Sequence, residues 1–155
     1  MKNQEVVDLL IKKNYKISAA ESCTGGLFAA KIVEISDASK VLDMSFVTYA
    51  NEAKVKLVDV KEETIKEFGV VSEEVAIQMA KGVQKVSGSN VGVGISGIAG
   101  PTGDTATNPI GMVCFGIVIN DKSLSFTKYF GNLGRNVVRE YAVGVLFETL
   151  YMLLS

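Results

Sequence analysis

KISAAESCTGGLFAAKIVEI, residues 16–35, reads as a strand, a glycine turn and a helix in immediate succession. Lys16 to Glu21 has the length and apolar content of a short strand, and Thr24-Gly25-Gly26 breaks it. The apolar-rich run Leu27 to Ile35 follows, with Ala29 and Ala30 permitting close packing, so a helix begins there. Upstream, Val6, Val7, Leu9, Leu10 and Ile11 recur at helical spacing and predict a helix over Asn3 to Lys13, ended at Asn14. Downstream, Met44 to Tyr49 has the β-branched and aromatic content of a strand, and Asn51 is placed to cap a helix carrying Lys54 in its first turns. Glu62 to Phe68 predicts a short helix ended by Gly69; Ser72 caps a longer one to about Val86, with Glu73 and Glu74 at its positive end. Val91, Val93 and Ile95 predict a glycine-rich buried strand, and Gly97 to Asp104 a loop. Ile110 to Ile119 and Leu124 to Phe130 predict a hairpin about Asn120-Asp121-Lys122, and Arg135 to Leu154 a closing helix. Together these predict an α/β fold in one domain over residues 1–155: a three-layer α/β/α sandwich around a mixed, mostly parallel sheet.

A chain of 155 residues is long enough for one sizeable core and too short for two. Its 48% hydrophobic and 21% charged content suits a packed domain, not a disordered one. Sixteen basic against seventeen acidic side chains leave a net charge of -1, which offers no bulk attraction to nucleic acid or anionic membrane. Lys2, Glu5 and Asp8 do not begin a secretory signal, and no apolar run approaches the roughly 20 residues of a membrane span. Cys23 and Cys114 form neither a disulfide framework nor a metal cluster, so a cytoplasmic setting and no metal or other cofactor are expected. The absence of histidine excludes Ser-His-Asp and Cys-His chemistry and the usual zinc ligand sets. Any general base is then a lysine, a tyrosine or a carboxylate whose surroundings bring its pKa towards neutrality.

Ser22 stands where the first strand meets its helix, and free N–H groups of a helix start can stabilise an anion beside it. The same segment is equally read as Ser22 or Thr24 capping the helix, with Gly25 and Gly26 permitting a tight turn. Cys23 is a rival nucleophile; were the strand to continue through it, Ser22 and Cys23 would face different sides, with Cys23 packed in the core. Tyr49 and Lys54 lie at a second strand-to-helix junction, which a parallel arrangement brings to the same sheet edge as Ser22. Lys54 serves as a base only if burial or a neighbouring cation depresses its pKa; otherwise it is a surface cation, and Tyr49 a core aromatic. Gly92 to Gly97 matches G-x-G-x-x-G but does not open a helix, which disfavours a dinucleotide fingerprint. The loop Gly97 to Gly103 can instead offer backbone N–H groups to a phosphate, or be structural. Arg135 and Arg139 share one face of the last helix, where a phosphate, a neighbouring subunit or solvent could meet them.

AESCTGG at 20–26, VTYANEAK at 47–54, GVVSEEVA at 69–76, GISGIAGPTGD at 94–104 and NPIG at 108–111 resemble, in order, the CinA C-terminal domain family. The resemblance implies a nicotinamide-nucleotide amidohydrolase, which converts nicotinamide mononucleotide and water to nicotinic acid mononucleotide and ammonia within pyridine nucleotide recycling. It implies Ser22 as nucleophile with Lys54 and Tyr49 moving protons, and Thr24, Gly25 and Gly26 at an anion-binding turn. It implies contacts from the loop Gly97 to Gly103 to the phosphate or ribose of the small pyridine nucleotide, with Gly97, Ala99 and Gly100 as candidates, to which Arg135 is added from its place on the last helix. It further implies a stand-alone form and a homo-oligomer, with a catalytically silent nucleotide- or protein-binding domain as the alternative. Thr105 to Asn108 lacks a basic residue that the family pattern carries before the proline, and Met112 stands where threonine is more usual.

Overall fold

The computed structural model describes residues 1–155. In chain order the elements are α1 (Asn3–Lys13), β1 (Ile17–Glu21), α2 (Leu27–Val33), a 3-10 turn (Ala38–Lys40), β2 (Phe46–Val47) and α3 (Asn51–Val58). Then come α4 (Glu62–Phe68), α5 (Glu73–Ser87), β3 (Val91–Gly97), β4 (Met112–Ile119), β5 (Lys122–Tyr129) and α6 (Arg135–Leu154). The strands form one sheet in the order β2-β1-β3-β4-β5. β1 is parallel to β2 and β3, while β4 is antiparallel to β3 and β5, so only β4 runs against the other four. The sheet is therefore mixed, with most strands pointing one way, as the strand and hairpin pattern predicts.

Two helical layers cover it. On one face α1, α2 and α6 pack together, and Val6, Leu10, Phe28, Ile32, Val138 and Phe147 meet Ile17, Ala19, Val93 and Phe115 of the strands. The Phe28 and Phe147 rings stack with centroids 4.7 Å apart, and full burial of each contributes about 2–3 kcal/mol. On the other face α3 and α4 lie against α5, where Val58, Val60, Val75, Met79 and Val83 pack on Ala20. Ser72 caps α5, its Oγ accepting from the Val75 N–H at 3.3 Å.

The glycines of β3 explain themselves here. A Cβ on Gly92 would lie 2.3 Å from the Ala80 carbonyl oxygen, and one on Gly94 2.2 Å from that of Ala76. Gly116, paired with Gly94 across β3 and β4, leaves the same gap, 2.4 Å to the Ala76 oxygen. The G-x-G-x-x-G match is thus part of a seat that lets α5 lie directly on the sheet. Among the boundaries that differ from the sequence reading, three bear on the site side of the sheet. The strand expected over Met44–Tyr49 shrinks to two residues, since β2 is an edge strand that pairs only at Ala20–Phe46 and Glu21–Val47. Ala50, not Asn51, precedes α3 and supplies no side-chain cap. α2 stops at Val33, two residues short of Ile35.

Candidate active site

β1 ends at Glu21, a fully buried carboxylate with an assigned task. Its Oε1 accepts from Thr24 Oγ1 at 2.7 Å and from the Phe28 N–H at 2.9 Å, and its Oε2 accepts from the Ala29 N–H at 3.1 Å. The anion at the start of α2 is therefore supplied by the chain itself. Thr24, Gly25 (φ 58°) and Gly26 (φ 100°) shape the turn around this carboxylate, and none of the three lines the adjoining cavity.

Ser22, 8% exposed, opens that turn. β2 and α3 bring Lys54 to it from the neighbouring strand-to-helix junction, fully buried. The Lys54 Nζ donates to Ser22 Oγ at 3.0 Å, to the Thr48 carbonyl at 2.8 Å and to the Tyr49 carbonyl at 3.1 Å. Three donors meet three acceptors, none of them a carboxylate, and Lys54 forms no salt bridge. Burial accordingly pulls the Lys54 pKa down to about 8, against the opposing charge of Glu52. An amine of this kind exchanges its proton near neutrality while touching a hydroxyl, the arrangement that general-base activation of a serine requires. Beside it, the Thr48 hydroxyl is buried without a hydrogen-bond partner.

Ser22, Lys54, Tyr49, Gly97, Ala99 and Arg135 all line one cavity of about 440 Å³ at the end of the parallel strands. Three larger hollows, one of about 730 Å³ and two of about 520 Å³, are lined by residues that include neither Ser22 nor Lys54. Tyr49 contributes in two ways. Its carbonyl holds Lys54, whereas its hydroxyl accepts from an Arg135 terminal nitrogen at 2.6 Å and makes no hydrogen bond to Ser22 or Lys54. Arg135 also donates to the Gly100 carbonyl at 2.8 Å, so it ties the Tyr49 junction to the 97–103 loop. Gly100 is present through that carbonyl and does not itself line the cavity. Cys23 does line it, contrary to the expectation of opposite faces, because β1 has already ended at Glu21. Burial pushes the Cys23 thiol up to about 12, so it stays protonated where Ser22 has a base.

One residue of the site was not singled out in the sequence. Glu21 had a visible signal, a charge closing the otherwise uncharged strand ISAAE. Arg139, expected with Arg135 to meet a phosphate, a neighbouring subunit or solvent, donates instead to the carbonyls of Cys23 and Thr24.

A family model described as the CinA C-terminal domain matches residues 1–154. A CinA-like protein of Kosmotoga olearia is 49% identical over 137 residues, covering 88% of this chain and 33% of its own length. The crystal structure of competence/damage inducible protein CihA from Agrobacterium tumefaciens superposes with a TM-score of 0.93 at 37% identity, covering 100% of this chain and 97% of that one. That of a CinA superfamily protein from Klebsiella pneumoniae gives 0.94 at 30% identity, covering 98% and 94%. The chain spans about a third of the length of the curated relatives it matches. With the match running through the Ser22 turn, the Lys54 helix and the glycine loop alike, the chain belongs to the CinA C-terminal domain family.

Proposed function

We propose that this chain is a nicotinamide-nucleotide amidohydrolase, cleaving the carboxamide of nicotinamide mononucleotide by a serine–lysine mechanism. The observation that carries the reading is the buried Lys54 amine 3.0 Å from the Ser22 hydroxyl, with no carboxylate to hold its proton. Family membership supports the substrate class, and the cavity volume of about 440 Å³ lies in the range of small-ligand sites. Ser22 Oγ attacks the carboxamide carbon, its proton passes to Lys54, and the carbonyl electron pair moves onto oxygen. As the pair returns, the C–N bond breaks and Lys54 gives its proton to the departing nitrogen, releasing ammonia. Water then attacks the acyl ester, its proton passes to Lys54, and collapse returns that proton to Ser22 with release of the acid. Tyr49 holds the protonated Lys54 through its carbonyl, and its hydroxyl with Arg135 contacts the nucleotide at the cavity wall. The two free cysteines suit a cytoplasmic setting.

Ammonia release from nicotinamide mononucleotide is measured for wild type and a folded Ser22→Ala variant, with chelator present. Wild type is expected to be active and the variant inactive, and the wild-type rate to rise with pH through a midpoint near 8, where Lys54 becomes neutral. No release by folded wild type would overturn the reading in favour of a binding domain; full activity in Ser22→Ala would remove the nucleophile assignment.

A further inference from the structure

Ser22 has a second serine beside it at the carboxyl end of the parallel strands. Glu21 pairs with Ile95 across β1 and β3, and the Ser22 N–H donates to the Ile95 carbonyl at 3.0 Å. Ser22 and Ser96 come next on their chains, whose backbones run about 4.8 Å apart. Glu21 and Ile95 turn towards α1, α2 and α6, where Glu21 binds the first turn of α2 and Ile95 joins the large core cluster. Alternation therefore turns Ser22 and Ser96 to the opposite face, that of α3 and α5. Lys54 reaches Ser22 from that side, and Ser96 Oγ donates there to the Val70 carbonyl at 2.7 Å. Both serines line the cavity.

Ser96 is 1% exposed, and its hydroxyl carries a single proton. That proton is committed, because no other group of the chain donates to the Val70 carbonyl. No donor of the chain reaches the Ser96 hydroxyl oxygen, so lone pairs are what it offers the cavity. Lys54 and Arg135 bring N–H groups to the same wall, and no carboxylate lines it. Asn51, Thr102 and Tyr49, which also carry side-chain oxygen, are exposed, whereas Ser96 sits in the depth beside Ser22.

We infer that Ser96 is a specificity-determining residue that accepts an N–H of the substrate carboxamide, so that the site reads the amide nitrogen and turns away the carboxylate oxygen of the product. The inference rests on the amidohydrolase reading. A primary carboxamide presents two N–H donors and a carboxylate none. The amide nitrogen gains a bond from the Ser96 lone pairs, but a product oxygen there meets another oxygen. Turning the hydroxyl round to serve it would strip the Val70 carbonyl of its donor. The contact outlasts attack by Ser22, since the nitrogen keeps both N–H bonds and takes its third proton from Lys54 on its lone pair as ammonia leaves.

The test titrates three ligands by calorimetry into Ser22→Ala, which cannot form the acyl ester, and into Ser22→Ala/Ser96→Ala, each checked by thermal unfolding. The ligands are nicotinamide mononucleotide, nicotinic acid mononucleotide and the methyl ketone analogue, in which a methyl group replaces the amide nitrogen. In Ser22→Ala the ketone is expected to bind about 10-fold more weakly than the amide. Adding Ser96→Ala is expected to weaken the amide about 10-fold and to leave the ketone and the acid within about twofold. Equal losses for all three would mean that Ser96 only carries Val70, and would overturn the inference. A ketone that binds Ser22→Ala as tightly as the amide would overturn it too, whether or not the double variant folds. In both cases the bound amide leaves the amidohydrolase reading standing. Folded Ser22→Ala that binds none of the three would overturn that reading, and this inference with it.

Discussion

Glycine stands in two regions of this molecule for opposite reasons. At Gly25 and Gly26 there is room for a side chain: an added Cβ would meet its nearest neighbours at 3.6 and 3.5 Å, but the backbone has φ of 58° and 100°. At Gly92, Gly94 and Gly116 the backbone is that of a strand and any residue could adopt it, but a Cβ would come within 2.4 Å of α5 carbonyl oxygens. The first pair sets a direction for the chain after Ser22; the second group sets how closely a helix approaches a sheet. A glycine motif read along the sequence mixes the two demands, and only the covering element separates them.

Substitution by alanine tells them apart. Gly94→Ala is expected to do the most damage, losing about 3 kcal/mol in urea unfolding, because backbone and not a flexible side chain blocks the new methyl. A smaller loss there than at Gly26 would show that α5 shifts freely and would break the distinction. Gly26→Ala should cost about 2 kcal/mol through backbone strain alone, with amide hydrolysis falling as the Ser22 turn relaxes. Gly144 completes the series: it lies inside α6 with nothing within 4 Å of an added Cβ and no unusual φ, so neither demand applies. Gly144→Ala is expected to stabilise by about 0.5–1 kcal/mol, read as a small upward shift in urea midpoint.

The layered architecture was legible because it depends on local periodicity. α1 and α6 were expected with the bounds they have, and β3, the hairpin and α5 within a few residues. β2 was not, since an edge strand of two residues is fixed by what Ala20 and Glu21 offer and not by its own β-branched content. At the site, the sequence placed Ser22, Tyr49 and Lys54 on one sheet edge because each lies at a strand-to-helix junction. It did not distinguish the Tyr49 carbonyl from its hydroxyl, whose partner Arg135 is 86 residues away. Nor did it show that Glu21 fills the helix start that looked ready for a ligand's anion, because side-chain burial at β1 follows from sheet order.

The seat under α5 also governs how the cavity can respond to an occupant. Val70 and Val71, just ahead of α5, form part of its wall, and the Val70 carbonyl accepts from Ser96 Oγ of β3 at 2.7 Å. Behind that wall, main chain rests on main chain, with no intervening rotamers to change and no slack to take up. Across the cavity, the 97–103 loop is joined to α6 through a single part-buried bond from Arg135 to the Gly100 carbonyl. Accommodation is therefore one-sided: one wall behaves as a template of fixed shape, and the loop makes the adjustment.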